Sequence, residues 1–211
     1  LGARYAIDKL HASHVLFWND DTLCVKEYFV ELEKAMINNK YLFESILVSK
    51  IFWLGNDDKL LFNFGCYFNP KNGRKIIIGL NCNDIYNEII SVDWSGGMGT
   101  LIPTSILIEL NYLDNTNFPQ YDGDIDFFLR AKKKNFKIYA IPSLHIFNNP
   151  ETTGIHSRNK LKDLRSILTS NRSLHNVKKN IRFTLRHANT FSSWALLIKD
   201  YISLFVKLEI K

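Results

Sequence analysis

Short apolar runs separated by polar turns dominate the first 150 residues of the chain. The runs that we interpret as strands span residues 15–18, 45–54, 60–68, 75–80, 89–94, 136–141 and 144–147. We expect amphipathic helices where apolar residues instead recur three to four positions apart. These helices span residues 25–36, 103–110 and 122–135. Strands mixed with helices predict an α/β layered domain.

A helical and strongly basic pattern follows residue 150. Between positions 156 and 190, nine Lys and Arg residues accompany one acid, so this segment carries +8 while the whole 211-residue chain carries +6. Such a segment suits contact with nucleic acid, anionic lipid or an anionic sugar phosphate, or it forms a solvated helix face. The last helix, over residues 191–210, holds Lys199 and Asp200 near its centre, which argues against a membrane span. It is then either a helix at a membrane surface or one packed on the preceding domain.

Composition excludes several classes of protein. Hydrophobic residues make up 46% and charged residues 23% of the chain, which excludes a disordered chain and a polytopic membrane protein. The three cysteines, at positions 24, 66 and 82, form no CxxC pair, so we expect reduced thiols in a cytoplasmic protein. The chain opens on Leu1 without a signal peptide, and we interpret it as a fragment.

A first acidic motif, Asn19-Asp20-Asp21, follows the first predicted strand. Ligands of open α/β sheets bind beyond the carboxyl ends of strands. Neighbouring carboxylates at that place suit a hard cation such as Mg²⁺ or Mn²⁺. The alternative is that Asp21 or Thr22 only caps the next helix.

A second acidic motif places Asp122, Asp124 and Asp126 at the start of a predicted helix. The helix dipole stabilises carboxylates there, and one of them can accept a proton from a hydroxyl group. The alternative is simple N-terminal capping, with Arg130 pairing with Asp126 four residues earlier.

A glycine-rich loop and a histidine complete the candidate chemistry. The loop WSGGMG, over residues 94–99, has three glycines in four positions, which lets a backbone approach a ligand closely. It is otherwise a flexible turn between a strand and a helix. His145 is either a metal ligand or an ordinary surface or core residue.

Taken in order, these motifs resemble glycosyltransferase family 2, whose members have the GT-A fold. The stretches that carry the resemblance are NDDT, VDWSGGMGTLIP and LDNTNFPQYDGDIDFFLRAKKKNFKIYAIPSLHIF. The closer likeness is to bacterial rhamnosyl- and galactofuranosyl-transferase-like members that build surface polysaccharides. It covers residues 1–150 and extends weakly into residues 151–211, where positions 177–180 are similar to a basic-Asn element. The resemblance implies an α/β GT-A catalytic domain, a mixed sheet flanked by helices, followed by a basic helical C-terminal extension.

The resemblance also implies roles by position. Asp21 and His145 match ligands of Mg²⁺ or Mn²⁺, and Asp124 matches the general base. The positions implied to bind donor or acceptor are Asp20, Trp94, Gly96, Gly97, Asp126 and Arg130. Asn19 and Gly123 depart from the acids usual at their positions, and we find no counterpart of the family's amino-terminal nucleotide-binding part.

We therefore expect a metal-dependent inverting glycosyltransferase that moves a sugar from a nucleotide-sugar donor to a polysaccharide or lipid-linked glycan. It would work in the cytoplasm, with peripheral contact at the inner face of the membrane and no nucleic-acid partner. Two alternatives stay open: a catalytically degenerate remnant that binds a glycan or a partner, and a nucleic-acid binder through residues 156–190. The main expectation requires Asp21, Asp124 and His145 to converge on one cleft.

Overall fold

The computed structural model of the chain describes residues 2–55, 60–149 and 164–209. Within these ranges the α-helices are α1 (Gly2–Asp8), α2 (Tyr28–Asn38), α3 (Thr104–Glu109), α4 (Gly123–Lys133), α5 (Leu164–Thr169), α6 (Val177–His187) and α7 (Phe191–Glu209). A 3-10 helix at Lys40–Glu44 follows α2. The strands are β1 (His14–Phe17), β2 (Thr22–Cys24), β3 (Ile46–Trp53), β4 (Leu61–Asn63), β5 (Cys66–Asn69), β6 (Arg74–Ile77), β7 (Ile90–Ser91), β8 (Thr100–Pro103) and β9 (Ile138–Asn148).

The main sheet is mixed and follows the order β1-β8-β3-β9-β2. β3 and β9 are parallel, whereas β1 with β8, β8 with β3 and β9 with β2 are antiparallel. β4 pairs with the end of β3, and β7 pairs with the start of β9. β5 and β6 form a separate antiparallel hairpin.

The burial of β3 explains why helices cover both faces of the sheet. All residues from 46 to 52 are buried, and successive side chains of a strand point to opposite faces. Ile46 belongs to an apolar cluster that includes Phe128 of α4, whereas Leu47 belongs to a second cluster that includes Tyr28 of α2. A continuous apolar run at this position therefore produces a central strand between two helical layers.

The long apolar runs of the sequence predict the strands well. The run at 45–54 forms β3, while the run at 60–68 is divided into β4 and β5 by Gly65, whose φ is +78°. The runs at 136–141 and 144–147 form the single strand β9. Its register against β3 shifts between Ser49 and Lys50 of β3, so that a few residues of β9 bulge out of the ladder there.

Two strands lie where the sequence pattern did not predict them. β2 lies immediately before the predicted helix at 25–36, in a stretch interpreted as a turn, and α2 starts only at Tyr28. β8 is fully buried between β1 and β3, where the glycine-rich loop was expected to lead directly into a helix at Pro103. In the structure that helix, α3, begins at Thr104, immediately after β8.

β1 is the outer strand on one side of the sheet. Among the strands of the described ranges it pairs with β8 alone, with Phe17 opposite Thr100. A groove of about 1120 Å³ runs beside β1 and is lined in part by Phe17, Trp18 and Tyr112. The side of β1 that faces away from β8 is therefore an unpaired sheet edge.

The C-terminal helices share the core of the preceding domain. Phe183 of α6 and the following Ala188 join the same apolar cluster as α4. The basic residues predicted at 158, 160 and 162 lie outside the described residues. No helix in the described part of the chain is long and apolar enough to cross a membrane.

Candidate active site

One edge of the sheet collects several of the predicted motifs. Because β1, β3 and β9 run in one direction and β8 in the other, the carboxyl ends of the first three meet the amino end of β8. Residues 19–21 follow β1, residues 96–99 precede β8, and Asn148 ends β9. The carboxyl ends of such strands are the usual place for a ligand in an open α/β sheet.

Asp124, on the first turn of α4, reaches the glycine-rich loop at this edge. The backbone N–H of Gly97 donates a hydrogen bond to Oδ2 of Asp124 at 3.1 Å. A Cβ atom at position 97 would lie 3.3 Å from both carboxylate oxygens, closer than most side chains tolerate. The glycine therefore lets the loop backbone lie directly against the carboxylate.

The environment of Asp124 favours proton uptake. Burial raises the pKa of Asp124, the hydrogen bond from Gly97 partly offsets this, and the nearby charge of Asp122 raises the pKa further. A carboxylate whose pKa is raised is a stronger base than an exposed one. Asp124 is thus suited to accept a proton from a hydroxyl group.

A side chain of β3 holds the C-terminal end of the glycine-rich loop. Gly99 has a φ of +59°, and its carbonyl accepts a hydrogen bond from the Ser49 hydroxyl at 2.7 Å. Since the Ser49 proton is used there, the hydroxyl of Tyr28 donates to Ser49, at 2.8 Å. At the start of the loop, Thr100 donates to the carbonyl of Gly96 at 2.9 Å. Hydrogen bonds thus hold both ends of the loop, and the alternative of a flexible turn stays open.

The environment of Trp94 differs from that of the glycines in the same loop. Its ring is buried, and its indole N–H donates to the carbonyl of Tyr67 on β5 at 3.1 Å. A backbone bridge between Cys66 and Trp94 joins the same two segments. Trp94 thus attaches the β5–β6 hairpin to the loop, and its predicted contact with a sugar stays a prediction.

Asp126 and Arg130 lie in a buried ion cluster. Asp126 is fully buried and accepts hydrogen bonds from Arg130, Arg186 and His187, each at 2.8 Å. Burial favours the protonated acid, but these three donors outweigh it and hold the pKa of Asp126 below its usual value. Arg186 and His187 come from α6, so the cluster fastens α6 to α4. The predicted donor or acceptor contacts of Asp126 and Arg130 stay predictions, and the observed contacts are structural.

Several buried polar atoms without partners lie near the ends of β1 and β9 in the described part of the chain. Within the described residues, Asp21 Oδ1, Thr22 Oγ1 and both polar side-chain atoms of Asn148 are buried and form no hydrogen bond. Thr22 and Asn148 are directly opposite each other in the β2–β9 ladder, and Asp20 is exposed in the preceding turn. Buried oxygen atoms without donors are ready ligands for a hard cation. Asp21 and Asn148 therefore fit Mg²⁺ or Mn²⁺.

His145 has partners elsewhere. Its Nε2 lies 2.8 Å from the carbonyl of Pro142, and its ring packs edge-on against Phe52. Burial lowers the pKa of His145, and the charge of Lys50 lowers it further. No group of three or more His, Cys, Asp or Glu side chains suited to a metal occurs in the described ranges. The predicted role of His145 as a ligand stays a prediction. Asn148, which sequence reasoning did not name, has unpartnered buried polar atoms, whereas His145 has partners.

Gly123 departs from the expected acid for a steric reason. A Cβ atom at this position would lie 2.9 Å from the carbonyl oxygen of Phe118, a distance that side chains do not adopt. The preceding residue, Asp122, has a left-handed backbone with a φ of 66°. The backbone at the start of α4 is therefore shaped around a glycine.

Comparisons with known proteins support the fold. No model of a protein family matches the chain, and no curated protein sequence matches it significantly. Among solved structures it is similar to the crystal structure of GalNAc-T7 with UDP, GalNAc and Mn²⁺, with a TM-score of 0.52 and 12% sequence identity. The match covers 70% of this chain and 29% of the other, so the chain spans less than a third of that structure.

This likeness establishes the architecture. GalNAc-T7 is a glycosyltransferase with a GT-A-like fold, and the match includes most of the chain. The predicted fold class is confirmed, whereas family 2 membership and the rhamnosyl- or galactofuranosyl-transferase likeness stay predictions. The chain has a GT-A-like α/β fold, a mixed sheet flanked by helices.

Proposed function

We propose that this chain is the catalytic part of a metal-dependent inverting glycosyltransferase of family 2. It would transfer a sugar from a nucleotide-sugar donor to a polysaccharide or lipid-linked glycan acceptor. The observation that carries this proposal is the contact between Asp124 and Gly97 at the sheet edge that also holds Asp21 and Asn148. A base and a set of cation ligands at one edge are the two elements that this transfer requires.

Asp124 acts as the general base. It takes the proton of the acceptor hydroxyl as that oxygen forms a bond to the anomeric carbon and the bond to the nucleoside diphosphate breaks. With one carboxylate opposite the leaving group, a single displacement inverts the anomeric centre, as in other inverting sugar chemistry. The backbone of Gly97 lies against this carboxylate and limits the space for the two sugars.

Asp21 and Asn148 would hold the divalent cation. When bound, Mg²⁺ or Mn²⁺ supplies positive charge that offsets the negative charge of the departing diphosphate. Asp20, exposed in the same turn, is placed to contact the donor. The buried oxygen atoms of Asp21 and Asn148 lack hydrogen-bond donors, which supports this assignment.

The test of the base is an Asp124→Asn variant assayed for Mn²⁺-dependent release of sugar from a panel of nucleotide-sugars. The amide keeps an oxygen for the Gly97 N–H, so folding should be retained while turnover drops at least about 100-fold. A Glu109→Gln variant is the matched control, because Glu109 is exposed and its one ion pair among the described residues is with Lys134. Undiminished turnover of Asp124→Asn would contradict the proposal.

The test of the cation ligands is a direct measurement of Mn²⁺ binding by electron paramagnetic resonance. We expect weaker binding in Asp21→Asn and Asn148→Ala. We expect unchanged binding in His145→Ala, whose ring faces Pro142 and Phe52. Loss of binding in the His145 variant alone would restore the sequence-based assignment.

A glycan-binding module without turnover is the second candidate. Gly123, where the family resemblance implies an acid, favours it, because the backbone leaves no room for a side chain there. Such a module would bind glycan yet release no sugar in the presence of Mn²⁺. The Asp124 experiment therefore distinguishes the two functions.

Peripheral membrane contact is a further part of the proposal. α7 exposes large apolar side chains, among them Phe191, Ile198 and Ile202, and Lys199 lies beside them. The exposed Asp200 follows Lys199 and offsets its charge, so the proposed contact with a membrane depends mainly on the apolar side chains. Sedimentation with anionic vesicles should decrease in an Ile202→Glu variant, and unchanged sedimentation would contradict this contact.

A further inference from the structure

A second cavity lies away from the Gly97–Asp124 contact. It measures about 600 Å³ and is bounded by the β5–β6 hairpin, α6 and α7. Phe183 and Leu197 contribute apolar wall, and Asn180 and Tyr201 contribute neutral polar groups. A wall that combines apolar and polar groups suits a substituted sugar better than a purely apolar ligand.

Positive charge predominates in this cavity. The charged side chains that line it are Arg74, Lys75, Lys179 and Lys199, against Asp122 and Asp200. The cations come from β6, α6 and α7, so they approach the cavity from different sides. The lining has a net charge of +2 when all these groups are ionised.

Two of the lysines share one carboxylate. Lys75 Nζ lies 2.5 Å from one oxygen of Asp122, and Lys179 Nζ lies 2.7 Å from the other. One carboxylate neutralises only one of the two ammonium groups. The Lys179 side chain is 6% exposed, so water does little to stabilise its charge. Burial accordingly lowers the pKa of Lys179, although Asp122 opposes this.

Arg74 and Lys199 carry the remaining positive charge. Neither forms an ion pair within the described part of the chain, and both are exposed at the cavity. With no acid holding them in the resting protein, they are available to an incoming anion at little cost.

We propose that this cavity binds a phosphate ester of the acceptor glycan, an inference that rests on the proposed transferase function. A phosphate monoester carries a charge between −1.5 and −2 near neutral pH, roughly matching the net +2 of the lining. Lysine ammonium groups act as point charges from several directions, which suits a tetrahedral anion. A planar carboxylate would instead favour a paired arginine fork.

The position of the cavity relative to the base supports an acceptor role. Asp122, which holds the two lysines, lies only two residues before Asp124. The cavity, which Asp122 lines, therefore borders the beginning of α4, whose first turn carries Asp124. The acceptor would be held by its phosphate while a hydroxyl of an adjoining sugar reaches Asp124.

The experiment is a calorimetric titration of the full chain with inorganic phosphate and with glucose 6-phosphate, in EDTA so that no cation site contributes. We expect saturable binding that weakens about fivefold to tenfold in Arg74→Gln and in Lys199→Gln, and weakens with added salt. Lys134→Gln is the matched control, because Lys134 is exposed and remote from this cavity. Unsubstituted glucose should not bind.

Vesicles distinguish a soluble phosphate ester from a lipid phosphate. If vesicles of phosphatidic acid compete with glucose 6-phosphate but phosphatidylcholine vesicles do not, the phosphate belongs to a lipid-linked acceptor. Competition by neither vesicle assigns the phosphate to a glycan unit.

The two proposals fail in different ways. The phosphate site is wrong if no saturable binding occurs, or if Lys134→Gln weakens it as much as the cavity variants do. Sugar release that depends on Asp124 would leave the transferase proposal intact in that case. Phosphate binding sensitive to Arg74 and Lys199, without any transfer, would overturn the acceptor role and identify a phosphate-binding module instead.

Discussion

The buried carboxylate of Asp126 offers a sharp test of how the C-terminal helices are held. In an Asp126→Asn variant the side chain keeps its shape but loses its charge. Its remaining oxygen cannot accept from Arg130, Arg186 and His187 together, and its new amide N–H₂ faces at least one of these donors. The variant thus removes the carboxylate that pairs with Arg130, one of the two carboxylates that pair with Arg186, and the charged acceptor of His187, at a fully buried point.

The expected loss of stability follows from the exposure of the partners. Removing one member of a buried, hydrogen-bonded charge pair costs about 3 to 5 kcal/mol. The side chains of Arg130 and Arg186 are 21% and 33% exposed, so both can regain water and the cost should be near the lower limit. We expect about 3 kcal/mol, which for a domain of this size lowers Tm by about 6 to 12 °C.

Urea unfolding followed by tryptophan fluorescence measures this difference. Glu109→Gln is again the matched control, because it makes the same change of charge at an exposed pair, where we expect less than about 0.5 kcal/mol. If Asp126→Asn loses no more stability than this control, the ion cluster does not hold α6 to the domain and our reasoning is wrong.

Three more substitutions or conditions test other parts of the fold. Gly99→Ala should lose about 2 kcal/mol in urea unfolding, because a Cβ there would lie 2.5 Å from the Ser49 hydroxyl at a positive φ; wild-type stability would contradict this. Asp84→Asn should lose about 3 kcal/mol, because it leaves the buried ammonium of Lys50 without its counter-ion, and Lys50→Met should rescue it in differential scanning calorimetry. Burial lowers the pKa of His187 in the folded protein. In the unfolded chain the imidazole has its ordinary pKa of about 6.5 and therefore takes up a proton more readily than in the folded protein. The free energy of unfolding should therefore be highest above about pH 6.5 and should fall as the pH drops from there through the lowered pKa of the folded protein. A free energy of unfolding that stays constant between pH 7 and pH 5 would refute this.

The part of the structure that sequence reasoning predicted depends on local pattern. β3 was predictable because a strand covered on both faces needs an unbroken apolar run. The contact between Gly97 and Asp124 was not itself predicted, although the family resemblance named both residues as parts of one site. β2 was missed because three residues in a turn-rich stretch carry too short a pattern.

Contacts between distant segments had no such local signal. The hydrogen bond from His187 to Asp126 joins positions 61 apart, and neither residue's neighbours indicate a partner. The pairing of Lys179 with Asp122 is of the same kind, because the basic segment was interpreted only by its total charge. The sequence did contain a signal for Asn148. This polar residue follows directly after the apolar run at 144–147, just as Asn19 follows the apolar run at 15–18.

Among the described strands β1 has a partner on one side only, so a further strand can add to the sheet at its other side. A strand from any source that hydrogen-bonds to β1 would continue the sheet past β1, close to residues 19–21. If the chain is a transferase as proposed, such a strand would lie beside the proposed cation site. Its side chains would then help to select the nucleotide of the donor.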